Sequence, residues 1–138
     1  MTNRATLEAL LARVLAGTGP DRELDGALAE ALQVGGNPWK HDGDGWISVH
    51  GFGCQAAMFT TSLDAALTVV PEGWRINLLS EWDNETIRAK GAWQAILMPI
   101  GKGDSIHAGM RTRCDHAATP ARALIAACLK ARMEAQND

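Results

Sequence analysis

The sequence predicts an α+β fold, a three-layer α/β/α sandwich with a mainly antiparallel sheet of four or five strands. Three observations carry that expectation. The elements run helix, helix, strands, helix, strands, helix, which is not the βαβ alternation that builds a parallel sheet. Residues 93–98 are apolar at both alternating sets of positions, Ala95 and Leu97 against Ile96 and Met98, and a strand buried on both faces needs cover on both. Amphipathic helices with clear start and stop signals stand at both ends of the chain. At 138 residues the chain is long enough to bury a core without disulfide or metal support, and residues 1–138 read as a single domain.

Residues 4–16 place Leu7, Leu10, Leu11, Val14 and Leu15 on one helical face, and Gly17 and Gly19 end that helix. A second helix follows. Pro20 sits where its missing N–H does no harm, Asp21 and Glu23 lie near the positive helix end, and Leu24, Ala27, Leu28, Ala31 and Leu32 form the stripe. Gly35 and Gly36 stop it. Residues 35–45 (GGNPWKHDGDG) are dense in turn formers and read as a loop or hairpin tip, with Trp39 lacking periodic apolar partners.

Residues 46–49 read as a short strand, continued through residues 51–59 by a bend into another strand ending at Phe59. Thr61 or Ser62 then caps a short helix with Leu63, Ala66, Leu67 and Val70 on one face, terminated by Pro71 and Gly73. Residues 74–79 alternate Trp74, Ile76, Leu78 against Arg75, Asn77, Leu79, which is the period of a strand. Residues 80–91 are polar and turn-like, and carry a second stray aromatic, Trp82. After a turn at residues 101–104, residues 105–111 read as another strand. Thr119 caps the last helix, Pro120 takes its first position, and Leu124, Ile125, Cys128, Leu129 and Met133 face inward with Arg122, Lys130 and Arg132 outward.

Hydrophobic residues make up 46% of the chain and charged residues 21%, close to a globular average, so the composition fits neither disorder nor a membrane span. The N-terminal segment is interrupted by Glu8 and Arg13 and has no small-residue cleavage site, so it reads as an amphipathic helix and not a leader. A net charge of −3 opposes broad attraction to nucleic acid or anionic lipid. Three cysteines, Cys54, Cys114 and Cys128, are too few and too odd for a disulfide framework, and a reducing, cytoplasmic compartment fits them best.

Residues 61–74 (TSLDAALTVVPEGW) and 116–132 (HAATPARALIAACLKAR), together with residues 19–25 (GPDRELD), resemble the phage ABA sandwich domain family of small bacteriophage and prophage proteins. The likeness covers about a third of the chain, and residues 33–60 and 80–115 depart from the family. It implies the same layered fold as the residue pattern, and a phage or prophage accessory protein acting in the bacterial cytoplasm. The family brings no established chemistry. Its setting implies, as one concrete form, an inhibitor of a host defence complex of the anti-CRISPR type.

Four side chains of the kinds zinc prefers are present: His50 and Cys54 four apart, Cys114 and His116 two apart. The spacings match no common zinc module, and surface histidines with partly buried thiols are the plainer reading. A cysteine nucleophile would need Cys54 or Cys114 beside His107 or His116, with Asp115 orienting the base, yet no local signature surrounds them. Asp42 and Asp44 lack the further oxygen ligands of a calcium loop, and residues 101–105 lack the upstream glycine of a phosphate loop. Asp21 and Asp25, one helical turn apart, are accounted for by the helix dipole and solvent.

Arg111, Arg113, Arg122, Lys130 and Arg132 form a candidate basic strip for nucleic acid, which the acidic net charge disfavours. No motif calls for a cofactor. The most motivated expectation is a non-enzymatic protein that binds a protein partner through Trp39 and Trp82, because both lie in polar segments that core packing does not claim and tryptophan is a frequent interface anchor. The competing expectations are a metal- or cysteine-dependent enzyme using Cys54, Cys114, His50 and His116, and a homo-oligomer whose helix faces pack across a symmetric dimer.

Overall fold

The computed structural model describes residues 3–32, 39–42, 45–48, 59–81, 93–100 and 112–135. Its helices are α1 (Arg4–Ala16), α2 (Arg22–Leu32), α3 (Leu63–Leu67) and α4 (Pro120–Ala135); its strands are β1 (Trp39–Asp42), β2 (Gly45–Ser48), β3 (Trp74–Glu81), β4 (Trp93–Pro99) and β5 (Thr112–Ala117). The fold is α+β. Among the described residues β3, β4 and β5 form an antiparallel three-stranded sheet in that order, and β1 and β2 form a separate antiparallel hairpin. The expected strands over residues 51–58 and 105–111 lie outside the described residues.

Side-chain caps set the helix starts. Asn3 Oδ1 accepts the Thr6 N–H at 2.9 Å, Ser62 Oγ accepts that of Ala65 at 3.2 Å, and Thr119 Oγ1 accepts that of Arg122 at 3.1 Å with Pro120 as the first helical residue. Helix α2 starts later than the position of Pro20 suggests, because Asp21 takes the cap: its Oδ1 accepts the Leu24 N–H at 3.0 Å and its carbonyl that of Asp25 at 2.9 Å. Helix α3 is only five residues long. The chain turns at Thr68, so Val69 goes inward and Leu67 is left 44% exposed, against the helical spacing that paired Leu67 with Val70.

Gly73 closes the turn into β3. The Trp74 N–H reaches the Pro71 carbonyl at 3.1 Å across a residue with φ of 87°, the left-handed region that a type II turn demands and glycine supplies. The Gly73 carbonyl then accepts the Ile100 N–H at 2.6 Å, extending the β3–β4 ladder beyond Pro99. Strand β4 is buried from Gln94 to Leu97, so both of its faces are covered, as its apolar pattern requires.

One cluster forms the core. Leu7, Leu10 and Val14 of α1, Leu24, Leu28 and Leu32 of α2, Phe59, Ala66 and Val69, Ala95 and Leu97 of β4, and the length of α4 meet in it. Helix α4 packs on all three strands of the sheet and also touches α1 and α3; α1 packs in turn on α2, and α2 carries the hairpin. Helix α4 is therefore surrounded. Its six alanines let neighbours approach on every side, and residues 121–129 are all buried. That arrangement corrects the two-sided reading of this helix: Arg122 is not on a solvent face but is only 2% exposed.

Candidate functional site

The two tryptophans expected to anchor a partner have different standing. Trp39 is the first residue of β1, opposite Ser48 in the hairpin register, where the sequence suggested a loop or a hairpin tip. Trp82 lies outside the described residues. Of the candidate ligand set, His50 and Cys54 also lie outside them, whereas Cys114 and His116 are both in β5, with Cys114 opposite Ala95. His107, Asp44, Arg111 and residues 101–105 are outside as well. Among the described residues no three His, Cys, Asp or Glu side chains are placed to hold a metal ion, and no helix is long and apolar enough to cross a membrane.

The structure instead gathers a polar cluster that sequence reasoning missed, at the meeting of α2, the Thr60 turn and the start of α4. Asp25 is fully buried, contrary to the solvated role expected of it. Its Oδ1 accepts the Thr60 backbone N–H at 2.8 Å and its Oδ2 accepts from Arg22 Nη1 at 2.9 Å. Thr60 answers in kind. Its Oγ1 accepts the Asp21 backbone N–H at 3.0 Å, so the chain before α3 and the first turn of α2 are held by two crossed side-chain-to-backbone bonds. A signal was available in the sequence: Asp21 and Asp25 flank the α2 start at helical spacing, and Asp25 falls one position from the apolar Leu24.

Arg122 completes the cluster from the α4 side. Its Nη1 donates to the Val14 carbonyl at 2.9 Å and to that of Arg13 at 3.4 Å, and its Nη2 donates to the Gly19 carbonyl. These are carbonyls at the open C-terminal end of α1 and in the turn to α2, where a cation is favoured by the helix dipole and the acceptors lack helical partners. Burial lowers the Arg122 pKa from its ordinary value, while the Asp21 and Asp25 carboxylates act in the opposite direction. Among the described residues Arg122 Nε has no hydrogen-bond partner. Gly17 makes room for the guanidinium: a Cβ there would stand 2.5 Å from Arg122 Nη1, although its backbone, at φ −87° and ψ 157°, is open to any residue.

Arg132, the other arginine expected to face outward, is half-buried and donates from Nη2 to the Val69 carbonyl at 3.4 Å. The solvent-facing strip read from the sequence thus loses Arg122 to the interior and has Arg132 partly turned inward. Asp25 and Arg122 are sealed from solvent and engaged with backbone, so the cluster fastens chain segments and offers no opening for a substrate. Cys128 is likewise sealed; burial pushes its thiol up to about 12, against a smaller opposing pull from Arg132. Isolated exposed apolar residues, Ile100 at 62% and Leu67 at 44%, are ordinary surface features. No protein-family model matches the chain, and neither a curated protein nor a solved structure matches it.

Proposed function

We propose that this protein acts by binding a protein partner, with the β1–β2 hairpin as the contact region and Trp39 as its anchor. The observation that carries the reading is the separation of the hairpin from the main sheet. A two-stranded ribbon leaves one edge of each strand outside the ladder among the described residues, and such edges accept an added strand while a tryptophan beside them supplies apolar area. Trp82 is the second anchor in this reading.

The wider setting follows the family resemblance. It is a single α/β/α sandwich of residues 1–138 with a mainly antiparallel sheet of four or five strands, acting in the bacterial cytoplasm as a phage or prophage accessory protein. Burial of Gln94 and Ile96, on the face of β4 turned away from Ala95 and Leu97, supports a second covering layer. An inhibitor of a host defence complex is the most specific form of the proposal.

Affinity capture from host lysate, followed by binding of the purified captured protein, tests it. Trp39→Ala and the Trp39→Ala, Trp82→Ala double variant, both verified as folded, should bind about thirtyfold more weakly than the parent, the loss expected of a tryptophan hot spot. Equal affinity in all three proteins, or no captured protein, refutes the reading.

A further inference from the structure

We propose that Arg122 is a positioning residue for the hairpin, setting the pose of α2 and of the β1–β2 ribbon mounted on it without itself reaching the surface. The inference rests on the partner-binding reading for its functional meaning and on the buried cluster for its physics. The hairpin packs chiefly on α2 among the described elements. Helix α2 is led by the turn after α1, and Arg122 grips that turn on both sides, at Val14 and Arg13 before it and at Gly19 within it. The Thr60–Asp21 and Thr60–Asp25 bonds also hold that helix start. Apolar packing of Leu24, Leu28 and Leu32 keeps α2 on the core, but such packing is non-directional, whereas a planar fork with several fixed acceptors selects one orientation.

A merely stabilising arginine would be a poor choice here. Among the described residues its Nε has no hydrogen-bond partner, and replacing a buried charged group by a well-packed apolar residue of similar volume is often neutral or stabilising. The compensating gain is geometric: the guanidinium defines the turn, and Gly17 is left without a side chain to admit it. Arg122 and Gly17 therefore act as one device, and either can be altered while the other stays.

Native-state amide hydrogen exchange is measured on the parent, Arg122→Met, Arg122→Lys and Gly17→Ala, all as the full chain and with no partner present. In Arg122→Met and Gly17→Ala, exchange in α2 and at residues 39–48 should accelerate by roughly tenfold beyond any rise shared by β3, β4 and α4, the factor for one lost charged hydrogen bond. Arg122→Lys should fall between, since it keeps the charge and loses the fork. Two results overturn the inference: unchanged exchange in α2 and the hairpin, or a rise there no larger than the rise across the sheet and α4, up to outright unfolding, which would make Arg122 a support of the whole fold. Because no partner enters the measurement, a local rise combined with failure to capture any partner retains the positioning role and removes the binding reading.

Discussion

Arg4 and Arg122 close the pair α1 and α4 at opposite ends, each lying near the start of one helix and donating to a carbonyl near the end of the other. Arg4 Nη1 reaches the Met133 carbonyl at 3.3 Å, and Arg122 Nη1 reaches that of Val14 at 2.9 Å. The two helices therefore run antiparallel, with a cation at each C-terminal end where the dipole favours it. Their energies differ because their surroundings do. Arg4 is about half exposed and also pairs with Glu8 at 3.0 Å, so Arg4→Ala should cost no more than about 1 kcal/mol. Arg122→Ala leaves buried carbonyls without donors and opens a cavity, and should cost about 3 kcal/mol or more. Urea denaturation of the two variants at neutral pH measures both; similar midpoints would contradict the assignment.

Gly17 and Gly19 flank the same turn yet should respond differently to a methyl group. A Cβ on Gly17 meets the Arg122 guanidinium at 2.5 to 2.6 Å, and that group is held on several carbonyls and cannot move aside freely. A Cβ on Gly19 meets nothing within 4 Å. Gly17→Ala should destabilise by about 1–3 kcal/mol, and Gly19→Ala should stay within about 0.5 kcal/mol or gain slightly through the unfolded chain. Thermal melts of the pair compare them, and a Gly19→Ala loss as large as that of Gly17→Ala would locate the constraint in the backbone and not in Arg122.

The Asp25 and Thr60 bonds make a second contrast. Asp25→Ala strands the buried Thr60 N–H, and should cost about 2 kcal/mol. Thr60→Val removes the acceptor of the Asp21 N–H at similar volume and should cost about 1 kcal/mol, whereas Thr60→Ser keeps that acceptor and should lose less. The check is the denaturant midpoint at constant slope, and a Thr60→Val midpoint equal to the parent would show that solvent satisfies Asp21.

How much of this was legible follows from the range of each interaction. Residues 4–16 match α1 to the residue, and Thr119 with Pro120 marks the α4 start, because capping is decided within four positions of sequence. The two-faced apolar pattern of residues 93–98 likewise anticipated the burial of β4. Arg122 and Asp25 were misread because their partners, Val14 and Thr60, are remote in sequence. A helical wheel assumes one wet side, and α4 is surrounded; its run of alanines was the available sign that neighbours press on every face. The turn formers of residues 35–45 point to a loop or a hairpin tip but not to Trp39 as a strand residue, because a four-residue strand is too short to show a period.

Cys128 yields a prediction in pH. Its thiol is buried and pushed up to about 12 in the folded protein, whereas in the unfolded chain it ionises near about 8.5. Above that lower value the unfolded state releases a proton that the folded state keeps. Stability from this group is therefore complete below about pH 8.5 and declines as pH rises toward about 12, at up to about 1.4 kcal/mol per pH unit. Cys128→Ala removes the titration at a cost of about 1 kcal/mol from the lost sulfur contacts. The difference in unfolding free energy between parent and variant should be constant from pH 6 to about 8, vanish at about pH 9 and reverse in sign by pH 10, and peptide mapping after iodoacetamide should find Cys128 alkylated only once the protein is unfolded. A difference that stays flat to pH 10, or ready alkylation of Cys128 in the native protein, would mean that the thiol is not sealed within α4 and that this helix opens on the timescale of the labelling.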